Sequence, residues 1–149
     1  MNTSNNNLYP LPGGLDLIRR SEGFSAQAYW DEGSWAIGYG HHGPSVTENT
    51  IWTLAGAEAV LLDEDVPRVC SEVKALVDVP LSQGQFSALV DFTYNLGAGR
   101  LAESTLLKEL NQGHYAGACE QLLRWDESAG AVKEGLKARR EAEYALWQS

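Results

Sequence analysis

The spacing of apolar residues along the chain predicts a mostly helical protein. A first helix is expected over residues 15–24, and a long helical pattern extends over residues 53–77, with Thr53 as its N-cap. Pro67 lies inside the long pattern and should kink or interrupt it, because proline lacks the N–H that a helix interior needs. At about 1.5 Å per residue, this helix is long enough to connect two lobes.

The second half of the chain predicts four more helices. Ser82 and Gln85 form a capping box at the start of the first, which Gly97 and Gly99 are expected to end. The other three are expected over residues 104–112, over residues 115–125 and after the glycine-bearing loop at residues 130–135.

A short strand-like region separates the first two helices. Its aromatic and β-branched residues are Tyr29, Trp30, Trp35, Ile37 and Tyr39. They flank the polar turn Asp31-Glu32-Gly33, an arrangement typical of a β-hairpin. Five or more helices with one hairpin predict an α+β fold in which helix dominates.

Residues 1–14 are rich in Asn, Pro and Gly without any periodicity, so they are expected to form a flexible leader. The remaining residues, 15–149, are enough for one domain with one core. No apolar run approaches membrane-spanning length, and the N-terminus lacks a basic region followed by an apolar one. The sequence therefore predicts neither a transmembrane segment nor a signal peptide.

Charge and cysteine content narrow the classes of function. A formal net charge of −9 argues against binding to nucleic acid or to an anionic membrane surface. Cys70 and Cys119 lie in helical patterns and are expected to be buried free thiols. No spacing of Cys and His indicates a metal site, and no cofactor is expected.

Two carboxylates are candidates for chemistry. Glu22 follows Leu15 and Ile18 at helical spacing, so it lies on an apolar stripe, where burial raises the pKa of a carboxylic acid. Asp31 lies in a wetter turn. Such a pair can act as acid and base in cleaving a glycosidic bond. The plainer alternative is a surface glutamate at a helix end and an aspartate that only makes its turn.

The sequence also resembles a known family. The motif consists of Glu22-Gly23, Tyr29, Asp31, Gly33 and Ile37-Gly38-Tyr39-Gly40-His41, and it resembles the opening of phage-type (T4-like) lysozymes, glycoside hydrolase family 24. The likeness continues in PLSQGQFSALVDFTYNLGAG (80–99), STLLKELNQG (104–113), Arg124-Trp125 and GLKARREAEYALW (135–147). It implies a lysozyme-like two-lobe fold with a long connecting helix. It also implies a muramidase that cleaves the β-1,4 bond between N-acetylmuramic acid and N-acetylglucosamine in peptidoglycan.

The resemblance implies a role for each matching residue. Glu22 would be the general acid, and Asp31 would position or activate water or stabilise oxocarbenium charge. Arg139, rather than Arg140, would pair with Glu22, and Asn95 would hydrogen-bond near that pair. The alternatives are surface charges for the two arginines and an ordinary helix-end residue for Asn95.

Further residues have supporting roles by the same resemblance. His41 would form a structural ion pair with Asp65 in the long helix. Tyr39, Ser104 and Thr105 would border the bound sugar chain, although Ser104 and Thr105 equally fit a helix N-cap.

The sequence departs from the family pattern at Ala36. The family places a threonine, which helps to hold the water, six residues after the aspartate; here five residues lead from Asp31 to Ala36, so the hairpin is one residue shorter and the hydroxyl is missing. Two alternatives to a hydrolase therefore stay open. A lytic transglycosylase needs no held water. A non-catalytic wall-binding protein needs neither a held water nor a catalytic acid.

The implied biological role is that of a phage endolysin. It would be a monomer in the host cytoplasm, released through a holin to act on peptidoglycan glycan strands, with no nucleic-acid partner and no insertion into the membrane.

Overall fold

Eight α-helices and five short strands form the chain in the computed structural model, which describes residues 1–149. The helices are α1 (Pro12–Glu22), α2 (Leu54–Val60), α3 (Val66–Leu76), α4 (Gln83–Leu96), α5 (Ala98–Glu103), α6 (Thr105–Asn111), α7 (Tyr115–Leu122) and α8 (Glu134–Gln148). The strands are β1 (Ser25–Asp31), β2 (Ser34–Gly38), β3 (His41–His42), β4 (Glu127–Ser128) and β5 (Ala131–Val132). The predicted mostly helical α+β fold is confirmed.

The chain divides into two compact units. One comprises residues 18–68 and the other comprises residues 1–17 and 69–149. The unit of residues 18–68 holds the three-stranded antiparallel sheet β1-β2-β3, and the other unit holds α4 to α8. No helix has the length and hydrophobicity that crossing a membrane requires.

The predicted hairpin is present, and a third strand that was not predicted extends it into a three-stranded sheet. Strands β1 and β2 are joined by Glu32 and Gly33, whose φ angles of 47° and 93° are those of the tight turn that suits a twisted hairpin. Strand β3 then pairs with the other edge of β2. A strand of two residues is too short to show alternation in a sequence, so β3 could not be predicted.

The long helical pattern is continuous from α2 to α3 through a π-helical segment, Leu61–Asp65. Thr53 is the N-cap, as predicted, and its side chain accepts a bond from the Gly56 N–H at 3.0 Å. Pro67 does not end the helix, because it lies in the first turn of α3, after the wider π turn. In that turn the Val66 N–H bonds to the Leu61 carbonyl, five residues back.

Helix α4 supplies the centre of the larger unit. Its apolar residues Phe86, Ala88, Leu89, Val90 and Phe92 are fully buried. The predicted capping box of Ser82 and Gln85 is present, and the helix ends at Gly97, whose φ is 93°. The prediction that Gly99 also ends it was wrong, because Gly99 lies inside the short helix α5.

The first fourteen residues make specific contacts with the rest of the protein, whereas the sequence predicted a flexible leader. Helix α1 begins at Pro12 rather than at residue 15, since proline suits the first position of a helix. Asn5 is fully buried, where its amide donates to the Val79 carbonyl and accepts from the Leu81 N–H, both at 2.9 Å. Composition could not reveal these contacts, because they depend on residues more than seventy positions away.

Both cysteines are free and buried, as predicted. Burial raises the pKa of the Cys70 thiol to about 11, so it stays protonated at neutral pH.

Candidate active site

Glu22 is the last residue of α1. The helix stops there because Gly23, with a φ of 70°, turns the chain back while its N–H bonds to the Arg19 carbonyl at 2.9 Å. Ile18, one turn earlier, is fully buried, whereas Glu22 is partly exposed. Glu22 is therefore less buried than its place on the apolar stripe predicts, and part of its side chain is accessible to solvent.

Gly40 allows the backbone after β2 to approach the Glu22 carboxylate. A Cβ atom built on Gly40 would lie 2.5 Å from Glu22 Oε1, and the φ of Gly40 is 75°. Any side chain at this position would therefore displace the carboxylate as well as strain the backbone.

We expect Gly40→Ala to lower activity by about 10²-fold, because a catalytic group moved by about 1 Å loses its geometry. The measurement is the rate of clearing of a cell-wall suspension, with thermal unfolding followed in parallel. Gly113→Ala is the matched control, since Gly113 has a φ of 82° and nothing within 4 Å of the added Cβ. Equal activity losses in the two variants would contradict this account and would indicate backbone strain alone.

Asp31 ends β1 on one face of the sheet. Register pairs Tyr29 with Ala36 and Asp31 with Ser34, and it pairs Ala36 with His42 on β3. Because side chains alternate along a strand, all five lie on the same face. Ala36, expected at the family threonine position, thus lies on the same face as the carboxylate expected to hold water. Ala36 itself is fully buried, with its methyl group covered by its neighbours.

Asp31 is hydrogen-bonded in a chain of three side chains. His42 Nε2 lies 3.1 Å from Asp31 Oδ2, and His42 Nδ1 lies 2.7 Å from Ser34 Oγ. The side chains of Asp31 and His42 are 45% and 41% exposed, so this polar chain is open to solvent. Sequence reasoning did not identify His42 as part of the site.

The pKa of the Tyr29 hydroxyl depends on the charges of both carboxylates. Burial raises the pKa of the Tyr29 hydroxyl, and the negative charges of Glu22 and Asp31 raise it further. The structure therefore brings the two predicted carboxylates to the surroundings of one phenol, within the unit of residues 18–68. No group of three or more His, Cys, Asp or Glu residues is arranged to hold a metal ion.

The contact predicted between His41 and Asp65 is present. His41 Nδ1 lies 3.0 and 2.8 Å from the two oxygens of Asp65, which is buried in the π segment. His41 lies on the sheet face opposite to Asp31, so this pair connects the sheet to the helix and not to the carboxylates. Tyr39 is also largely buried, and its ring centroid lies 6.1 Å from that of Phe24.

The remaining candidates lie in the other unit. Ser104 is the N-cap of α6, where its hydroxyl accepts from the Leu107 N–H at 3.0 Å and donates to the Leu101 carbonyl at 2.7 Å. The capping role is therefore confirmed for Ser104, while Thr105 is the exposed first residue of the helix.

Arg139 and Arg140 both belong to a buried polar cluster. Arg139 makes a two-point ion pair with Asp91, with both N–O distances at 2.8 Å. Arg140 donates to Asn95 and to Glu143, also at 2.8 Å. Asn95 thus contacts Arg140 and not the arginine chosen from the sequence; the pairing of Arg139 with Glu22 stays a prediction.

Glu143 is a buried acid that sequence reasoning missed. Burial raises the pKa of its carboxyl well above the ordinary value and nearby Asp91 raises it further, whereas Arg140 and Arg139 lower it. Glu143 Oε1 is buried without a hydrogen-bond partner as a carboxylate. A proton there would let it donate to Asp91. The available sequence signal was Asp91, the single charged residue of α4.

Because the pKa of Glu143 is raised in the folded protein, the free energy of unfolding depends on pH. The contribution of Glu143 is fully present below its unfolded pKa, near 4.5, and is lost as the pH rises toward its folded value. We expect Glu143→Gln, which keeps a donor at every pH, to gain on the order of 1 kcal/mol in unfolding free energy relative to wild type between pH 4.5 and 7.5. Urea unfolding at both pH values measures this, with exposed Glu141→Gln as control. A pH-independent difference would contradict a protonated Glu143.

Comparison with known proteins shows which chains this protein is similar to. The endolysin of Bacillus phage B103 is 41% identical over 137 residues, which are 90% of this chain and 52% of that protein. The endolysin of Acyrthosiphon pisum secondary endosymbiont phage 1 is 38% identical over 142 residues, covering 91% of this chain and 95% of that protein. The muramidase domain of SpmX from Asticaccaulis excentricus has a TM-score of 0.86 at 34% identity, covering 96% of this chain and 99% of that domain.

The fold is therefore that of a lysozyme. Residues 19–143 match the phage lysozyme family, and the chain belongs to that family. It spans about half the length of the Bacillus phage endolysins that it matches.

Proposed function

We propose that this chain is a muramidase of the T4-like type, glycoside hydrolase family 24, which hydrolyses the β-1,4 bond between N-acetylmuramic acid and N-acetylglucosamine. The observation that carries the proposal is the placement of Glu22 and Asp31 around Tyr29 within one unit, with Glu22 held against Gly40. Glycoside hydrolysis needs two carboxyl groups with different tasks.

The two carboxyl groups divide the reaction between them. Glu22 donates its proton to the glycosidic oxygen, so the bond from that oxygen to the anomeric carbon breaks and the leaving sugar departs as an alcohol. Asp31 accepts a proton from the water whose oxygen bonds to the anomeric carbon. Asp31 is 45% exposed and ends a strand, so water reaches it freely.

The other predicted site residues complete the proposal. Pairing of Arg139 with Glu22 and contacts of the glycan with Tyr39, Ser104 and Thr105 follow from the family resemblance. The protein acts as a monomeric phage endolysin on peptidoglycan strands, without nucleic acid or membrane insertion. It reaches the wall from the host cytoplasm through a holin. The similarity to named endolysins supports this role.

A lytic transglycosylase is the second candidate, and Ala36 favours it. The position where the family holds its water with a hydroxyl carries a buried methyl group here. A transglycosylase closes the sugar on itself and uses no attacking water, so it does not need that hydroxyl.

Digestion of purified peptidoglycan followed by analysis of the chain ends separates the candidates. New reducing ends support the muramidase, and anhydro-muramyl ends support the transglycosylase. Absence of new ends would contradict both and would leave a non-catalytic wall-binding protein.

A further inference from the structure

The chain Asp31–His42–Ser34 fixes the proton positions on the imidazole. If Nδ1 carried the only proton, the bare Nε2 would face a carboxylate oxygen at 3.1 Å, and two acceptors would repel each other. With the proton on Nε2, His42 donates to Asp31 and the Ser34 hydroxyl donates to Nδ1 at 2.7 Å. A doubly protonated ring gives the same contact with Asp31. Nε2–H therefore faces Asp31 in either charge state.

The position of His42 matters because it is directly opposite Ala36 in the sheet. Its ring extends over the same face as Asp31 and reaches Oδ2 of that residue. His42 thus provides a polar group beside the methyl of Ala36, where the family has a hydroxyl. The two-residue turn also places Ser34 opposite Asp31, so that it holds the far side of the ring.

We propose that His42 is a positioning residue for the water-activating carboxylate. Its Nε2–H holds Asp31 Oδ2, which directs Oδ1 toward the attacking water, and the Ser34 hydroxyl holds the ring from its Nδ1 side. This inference rests on the proposed muramidase function. It explains how a site without the threonine hydroxyl keeps its base oriented.

His42→Leu is expected to lower kcat by about 10²-fold with little change in KM, because Asp31 loses its orientation and the substrate contacts remain. His42→Gln can donate from its amide to Asp31, so it should recover much of the loss. Kinetics on soluble glycan strands give the two constants. His114→Leu is the matched control, since His114 forms an exposed pair with Glu109 at the same 3.1 Å in the other unit; its kcat should equal that of wild type.

Ser34→Ala tests the same chain with a smaller change, in case His42→Leu does not fold. It should lower kcat severalfold in the wild-type background and have no effect in the His42→Gln background, because Ser34 acts through the imidazole. Equal effects in both backgrounds, or wild-type kcat in folded His42→Leu, would overturn the inference.

The outcome is separable from that of the proposed function. If wild type cleaves glycan and Glu22→Gln does not, the muramidase proposal stands and a wild-type kcat in His42→Leu refutes only the role of His42. If wild type produces no reducing ends, the proposed function and the role of His42 are both refuted.

Discussion

Glu22→Gln is expected to lower the rate of peptidoglycan cleavage by about 10²–10⁴-fold while the protein remains folded. The amide has nearly the shape of the protonated acid and fits against Gly40 in the same way, but it cannot give a proton to the leaving oxygen. Release of reducing ends from purified peptidoglycan measures the rate, and thermal unfolding verifies the fold.

Glu48→Gln provides the control for this experiment. Glu48 is an exposed glutamate of the same unit, so the variant has the same loss of charge without a change at the site. A folded Glu22→Gln protein that cleaves the wall at the rate of Glu48→Gln would show that Glu22 is not the acid.

Asp31→Asn is expected to have an effect of similar size, about 10²–10⁴-fold, because Ala36 offers no hydroxyl to share the task of holding the water. The asparagine oxygen can still accept the bond from His42, so the local geometry should persist while the base is lost. The rate and the chemical nature of the product ends are both measured.

Exposed Asp63 in the same unit offers the matching control, Asp63→Asn. Should Asp31→Asn keep the wild-type rate and yield anhydro-muramyl ends, water was never the nucleophile. Transglycosylation would then replace hydrolysis as the proposed reaction.

Much of the fold could be predicted from local sequence. Thr53, Ser82 and Ser104 begin their helices where capping chemistry places them, because an N-cap bonds to backbone groups only two or three residues away. The hairpin was recognisable for the same reason, since its turn residues and flanking aromatics are consecutive in the chain. The motif around Glu22 and Asp31 then identified both candidate carboxylates.

One error arises from a contact between distant segments. Asn5 lies in the segment predicted as a leader, because nothing nearby in sequence shows its bonds to Val79 and Leu81. The prediction that Gly99 ends a helix was wrong for a local reason, because the chain resumes a helix directly after Gly97.

The sequence by itself determined most of the helices and the hairpin and singled out the two candidate carboxylates, because local hydrogen bonding and short motifs encode them. Only the tertiary structure decided what surrounds them. His42 meets Asp31 through the register of a third strand, and Arg139 meets Asp91 across 48 positions of sequence. The physical reason is that such pairs form only when packing brings separate elements together, and no local pattern specifies which side chains will then face each other.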